Sequence, residues 1–507
     1  MIRKNDKMAI SSFLVVLILL CPFLTAKVFA DTGIRVDTLT KTFDASGPNS
    51  YAIDADGSLW AWGGSVGGGL GDGTKDRRLI PVKILENVIS VSTGPGHTMA
   101  ILTDGSLWAW GSNSAGNLGD GTTTERLAPV KIMDNVAAVS TWSSTMALKT
   151  DGSLWAWGWN HAGNVGDGTQ IDKHSPIKIM DGVVSFALGM NHSMAIKADG
   201  SLWAWGTNAY GQLADGRAQI SLEGSFGPDS PVKVMERVSA VSLGNYTSII
   251  IRQDGSVWAL GLNRYGQLGD GTTIDRLNPV KITDNVVSVS QGTNHTLAIK
   301  ADGSLWAWGH NQWGQLGDGT QTDRHSPVMI MDNVAQASAG LWHSMAVKTD
   351  GSLWAWGGNW DGRLGDGTAE WSGYSASPKK IMGNIKLPPP LPGQARVHLD
   401  GMPMTFDVPP QIINGRTMVP LRAIFEEMGA DVLWDSDTQT VTATKDDTVV
   451  IMKIGDTSPT VNGRIEAVDQ SGVIINGRTL APLRFVAEAF GGAVQWDAEN
   501  RTANIVK

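Results

Sequence analysis

The sequence predicts an all-β seven-bladed β-propeller followed by a C-terminal α+β stalk-like domain. Two repeats carry that prediction. The phrase DGSLWAWG begins at Asp56, Asp104, Asp151, Asp199, Asp254 (as DGSVWALG), Asp302 and Asp350, at spacings of 47 to 55 residues. Beyond a run of prolines, IINGRT recurs at Ile412 and Ile474. A period near 48 residues marks a repeat architecture and has to be read before any single motif.

Each of the seven units reads as short strands. In the second, His97 to Thr103 is an apolar run, Asp104-Gly105 a turn, and Ser106 to Gly111 a further run. Asp-Gly between two such runs predicts a type I′ hairpin, with both turn residues at positive φ. A Gly/Asn-rich loop and GDGT follow, then a strand at Val130-Lys131-Ile132 and a fourth around Val136 to Val139. Four strands per unit is the size of a propeller blade. Trp108 and Trp110 alternate with Leu107 and Ala109, so both strand faces are apolar and need cover, which neighbouring blades supply. Closure into a ring is expected because the units around Trp60 and Trp356 are as apolar as the middle ones, where an open stack would need polar ends.

At WAWGSNSAGNLGDGT (108–122), ALGLNRYGQLGDGT (259–272) and AWGHNQWGQLGDGT (307–320) the chain resembles the RCC1 (regulator of chromosome condensation) repeat family, over about residues 39–386. The resemblance implies a seven-bladed propeller. The family's best-known eukaryotic member is a nuclear nucleotide-exchange factor that docks on chromatin. The acidic balance here, −9 overall, and the missing basic arm argue against that role and against nucleic-acid binding. The resemblance therefore points to the secreted bacterial relatives, which bind another macromolecule through loops.

The start of the chain supports that direction. Arg3, Lys4 and Lys7 precede the apolar run from Met8 to Leu20, and Val28 and Ala30 suit a cut before Asp31. Residues 1–30 thus read as a secretory signal peptide, the alternative being an uncleaved anchor. Cys21 is the single cysteine, so residues 31–507 hold neither a disulfide nor a thiolate site. The expected location is secreted, extracellular or attached to a Gram-positive cell wall, with no stable membrane span after cleavage.

Most repeated polar residues read as structural. One Asp per GDGT turn is too few for a calcium loop, so no metal or cofactor is expected. His97, His192, His295 and His343 occupy a slot that Asn49, Ser144 and Thr247 fill elsewhere, as hydrogen bonders would. Arg78, Arg126, Lys173, Arg276 and Arg324 follow acidic residues in four units (Glu125, Asp172, Asp275, Asp323), which suggests local surface pairs. No nucleophile, base and orienting acid fall within one unit, so the chain is not read as an enzyme.

Function is sought where the units differ. The loops before the first and after the second strand of each Asp-Gly hairpin share one end. They carry Trp142, Tyr246 and Trp342 in the first set, and Trp159, His161, Tyr210, Tyr265, Trp313 and Trp360 in the second. Insertions add Leu222 and Phe226 in unit four, and Trp371 and Tyr374 in unit seven. Exposed Trp and Tyr are what binding patches use. The expected function is binding of a protein or glycan partner, a cell-wall polymer included, through these aromatics. The alternatives are a polysaccharide hydrolase or lyase and a non-catalytic structural envelope component.

Residues 31–386 are thus assigned to the propeller, 387–396 to a stiff Pro-rich linker and 397–507 to the second module. In that module each repeat reads as strand, Asn-Gly turn, helix from Pro420 or Pro482, a break at Gly429 or Gly491, and a strand ending near Trp434 or Trp496. Leu421, Ile424, Phe425 and Met428 form one helical stripe, matched by Leu483, Val486, Ala487 and Phe490. This part resembles the stalk domain named after the N-terminal part of copper amine oxidases. With His398 its only histidine and no cysteine, it has almost no ligands for copper.

Overall fold

A computed structural model describes residues 41–217, 227–370, 373–388, 390, 394–404, 406, 408–475, 477–498 and 501–507. The expected signal peptide, Cys21, Leu222, Phe226 and Trp371 lie outside the described residues. No helix among the described residues is long and apolar enough to cross a membrane.

Residues 43–382 form seven antiparallel sheets of four strands, each in simple chain order. The second blade is Val88–Thr93, His97–Leu102, Leu107–Gly111 and Arg126–Met133. The strand from Val136 pairs with Ser144–Lys149, so it opens the third blade and does not complete the second. Asn135, at φ 62°, makes the sharp exit that redirects the chain from the rim to the centre. The first strand of a blade lines a central channel, as Val139 to Thr141, Phe186 to Leu188 and Val241 to Leu243 do. Its free edge is served by serine: Thr141 N donates to Ser92 Oγ (3.1 Å), Gln291 N to Ser242 Oγ (3.0 Å) and Ala339 N to Ser290 Oγ (3.0 Å).

The hairpin turn departs from the expected type. Gly105 N donates to Leu102 O and Leu102 N to Ser106 O, closing a three-residue loop in which only Gly105 is left-handed, at φ 77°. Asp104 keeps an ordinary φ because its carboxylate is occupied, accepting from both the backbone N (2.9 Å) and Oγ (2.6 Å) of Ser106. Ser106 Oγ in turn accepts from Trp108 Nε1 at 2.9 Å, so D-G-S-x-W is one hydrogen-bonded chain.

The two tryptophans of each strand have different fates. Trp62, Trp110, Trp157, Trp205, Trp308 and Trp356 are fully buried between blades, each indole worth roughly 3 kcal/mol of burial. The outer tryptophans are half-buried and roofed by a cation in the last five blades, for example Lys300 Nζ 3.9 Å from the Trp306 ring centre. Trp157 Nε1 donates to Asn117 O in the preceding blade (3.0 Å), and a Cβ on Gly119 would stand 2.6 Å from that same nitrogen. Trp62 and Gly365 repeat this contact where the seventh blade meets the first.

That seam is fastened by Asp44, fully buried on the innermost strand of the first blade. Its carboxylate accepts from Ser338 Oγ of the seventh blade (2.9 Å), Thr93 N of the second (2.8 Å), Ala45 N, Ser46 Oγ and Lys41 Nζ.

In the C-terminal module the hairpins Gln411–Ile413/Arg416–Pro420 and Val473–Ile475/Arg478–Pro482 join antiparallel through Val419 and Ala481. Helices Leu421–Glu427 and Leu483–Glu488 bury the expected stripes, and Phe425 meets Phe490 edge to face at 5.2 Å. Gly429 and Gly491, at φ 87° and 86°, end the helices. Gln394 to His398, Met404 and Phe406 join the inner strands of the propeller in lining one cavity.

Candidate functional site

Register places the two loop sets together. The second strand of a blade begins opposite the end of the third, as Ser144 with Gly158 and His343 with Gly357. The loops before one and after the other therefore emerge at the end away from the Asp-Gly turns. Tyr210 and Tyr246 touch across adjacent blades, ring centres 5.3 Å apart, and Trp313 meets Trp360 edge to face at 4.7 Å. Tyr265 lies 4.4 Å from His310, which is 5.9 Å from Trp342, so three blades share one cluster. Trp159 stacks on His161 at 5.5 Å, and Trp142 stands at the channel wall.

Trp142, Trp159, Tyr210, Tyr246, Tyr265, Trp313, Trp342 and Trp360 are half-buried, and Tyr374 is 45 % exposed. Tyr374 Oη donates to Gln321 Oε1 (3.1 Å), which puts Tyr374 on the same end. Two residues of this surface went unread in the sequence. His310 bridges Tyr265 and Trp342. Arg363 is buried beneath Trp360, 4.9 Å from its ring, and paired with Asp361. The signal for both was available, since they stand where sibling repeats have other residues: His310 aligns with Ser112 and Trp159, and Arg363 with Asn117 and Gln315.

The repeated polar residues are consumed by the scaffold. Asp120 Oδ1 accepts from Asn113 Nδ2, Thr122 N and Thr122 Oγ1, while Oδ2 binds Arg126. Burial opposes ionisation of Asp120, but the Thr122 and Arg126 hydrogen bonds prevail and hold its carboxyl below the ordinary range. The same link joins Asp72 to Arg78, Asp167 to Lys173, Asp270 to Arg276 and Asp318 to Arg324. This corrects the pairing expected with the preceding acid: the turn carboxylate, six residues earlier, lies beside the start of the outer strand.

The four histidines bridge blades, His97 Nε2 to Thr145 Oγ1, His192 to Ser248, His295 to Ser344 and His343 to Ser50, at 2.9 to 3.0 Å. Burial lowers the pKa of His97 to about 4 and those of His192 and His295 to about 3. These carboxylates and imidazoles are engaged in holding turns, strands and blades together. Among the described residues no three His, Cys, Asp or Glu side chains gather to hold a metal.

Comparison with known proteins agrees with this architecture. The profile of the RCC1-like domain matches residues 133–390, and that of the regulator of chromosome condensation (RCC1) repeat matches 56–101 and 104–145, with a second such profile over 88–117. The copper amine oxidase N-terminal domain matches residues 398–505. A search of curated proteins returned no match. Among solved structures, yeast RCC1 (Prp20) bound to Kap60 is 20 % identical with TM-score 0.58, covering 75 % of this chain and 90 % of that one. Prp20p from Saccharomyces cerevisiae, described with its binding properties to Gsp1p and histones, is 21 % identical with TM-score 0.59, over 69 % and 90 %. Human WBSCR16 is 21 % identical with TM-score 0.56, over 64 % and 94 %. At these identities the likeness concerns the fold.

These similar propellers are yeast and human proteins, and that corrects the expectation of a secreted bacterial type. The secreted, extracellular, cell-wall and Gram-positive assignments fall with it. They rested on residues 1–30, on the acidic balance and on the resemblance to secreted relatives.

Proposed function

We propose, from the premise that this chain belongs to the RCC1 repeat family, that its propeller is a protein-binding head whose contact surface is the aromatic end. In this reading residues 31–386 are the head, 387–396 the link and 397–507 an accessory module. The observation that carries it is the meeting of loop rings from different blades in three groups, Tyr210 with Tyr246, Tyr265 with His310 and Trp342, and Trp313 with Trp360, while the repeated residues are spent on the scaffold. Half-buried rings fixed by neighbours lose little freedom on binding, which favours their use as anchors. The similar yeast propeller is described in complex with Kap60, and with Gsp1p and histones as partners, which supports a protein as the ligand class.

The test is capture of partners from an extract of the source cells by the full chain and by a Trp313→Ala/Trp342→Ala/Trp360→Ala variant. Removal of three anchors is expected to cut retention by at least about tenfold. Equal capture of the same proteins by the folded variant would refute the reading.

A further inference from the structure

The acidic residues that precede the basic ones are left without them. Lys173, Arg276 and Arg324 turn to the GDGT carboxylates, so Asp172, Asp275 and Asp323 are held instead by a backbone N–H, from Asn160 (2.8 Å), Asn263 (2.7 Å) and Asn311 (2.7 Å). Among the described residues Asp172 has one ionic neighbour, His161 at 3.6 Å, while Asp275 and Asp323 make no ion pair. The residue after that Asn differs between blades: His161 in the third, Arg264 in the fifth, Gln312 in the sixth. The sixth blade alone of these three has no basic group in that slot.

There Asp323 lies in an open hollow with His310, Gln312, Gln321, Thr322 and His325. The walls are built. Gln321 accepts from Tyr374 Oη and donates to Gln312 O (2.7 Å), and His310 Nδ1 meets Gln315 Nε2 at 3.1 Å. Burial keeps His310 below the usual histidine range against the pull of Asp323, so it supplies no counter-charge near neutrality. The Tyr265 and Trp342 rings flank that imidazole.

We propose that this hollow receives an arginine side chain presented on a basic segment of the protein partner. A guanidinium can bond the fixed carboxylate in its plane and lie beside the imidazoles of His310 and His325 that line the hollow, which an ammonium does less well. The inference rests on the aromatic end being the contact surface, and names the chemistry it selects.

The test titrates the full chain into a fluorescent peptide of Arg-Gly-Gly repeats, beside peptides with citrulline or Glu in place of Arg, at about 150 mM salt. The arginine peptide should bind at least about tenfold tighter than either. Asp323→Asn keeps the acceptor for Asn311 N and should weaken binding about tenfold. Asp56→Asn, the same charge change on the exposed turn end of the first blade, should leave it unchanged. Equal binding of the citrulline peptide, or equal loss in both variants, overturns the proposal. If Asp323→Asn binds like wild type while the triple tryptophan variant loses its partners, this inference fails and the proposed function stands.

Discussion

The contact between GDGT glycine and buried tryptophan is the smallest unit that explains the repeat. Glycine is needed on two counts, a φ near +80° and an indole against its α-carbon. The fourth unit, which breaks the pattern, supports the rule. Ala214 replaces the glycine, and the strand it faces in the fifth blade has Leu260 in place of tryptophan. Both departures were visible in the sequence, but their connection was not, because it runs between blades. Gly317→Ala should destabilise the protein by about 1–3 kcal/mol, since its Cβ would stand 2.7 Å from Trp356 Nε1. Adding Trp356→Leu should recover part of that loss, and urea unfolding of the double-mutant cycle measures the coupling. Simple additivity would disprove the pairing.

At the level of strands and turns, alternation and spacing located the Asp-Gly and Asn-Gly hairpins, while the Asp-Gly turn type and the strands between Thr440 and Ile465 escaped. Asn414-Gly415 has both residues left-handed, at φ 50° and 75°, as a type I′ turn requires. Asp-Gly does not, because the Asp side chain is bound to Ser and the loop takes a third residue. Such side-chain bonding leaves no trace in hydrophobic periodicity. The second strands are also tied across blades by the four buried histidines, and this gives a pH dependence. Their folded pKa values lie below the unfolded value of 6.5, so the unfolded chain takes up protons first as pH falls. Stability should be full above about pH 6.5 and decline from there toward pH 3–4, at up to about 1.4 kcal/mol per pH unit per histidine. His192→Thr, which copies the Thr247 of the same slot, should flatten the fall in urea midpoint between pH 7 and 5. An unchanged slope would show that His192 titrates normally.

For the molecule as a whole, seven apolar units and the absence of polar ends foretold a closed ring, and the buried carboxylate that fastens it could not be foretold. Asp44 stands in the slot that Ser92, Ser242, Ser290 and Ser338 fill in other blades, but the acid itself is not repeated, and its partners come from residues as distant as Ser338. Asp44→Ala would strand several buried donors, and a loss of about 3 kcal/mol or more is expected. Hydrogen exchange should rise together at Thr42 to Ala45 and at Gln336 to Ala339, whereas local loosening of the first blade alone would contradict a clasp. The loop aromatics could be listed from the sequence, but which of them meet could not, because the order of blades around the ring decides it. The way the seam is made has one more consequence. Ile53 N donates to Thr42 O on one side, and Lys386 N donates to Ile53 O on the other, so both ends of the propeller segment flank a single residue. The order of the blades is in that sense circular. A gene rearranged to start at any of the left-handed asparagines between blades, with the native ends spliced by a short bridge, should yield the same wheel.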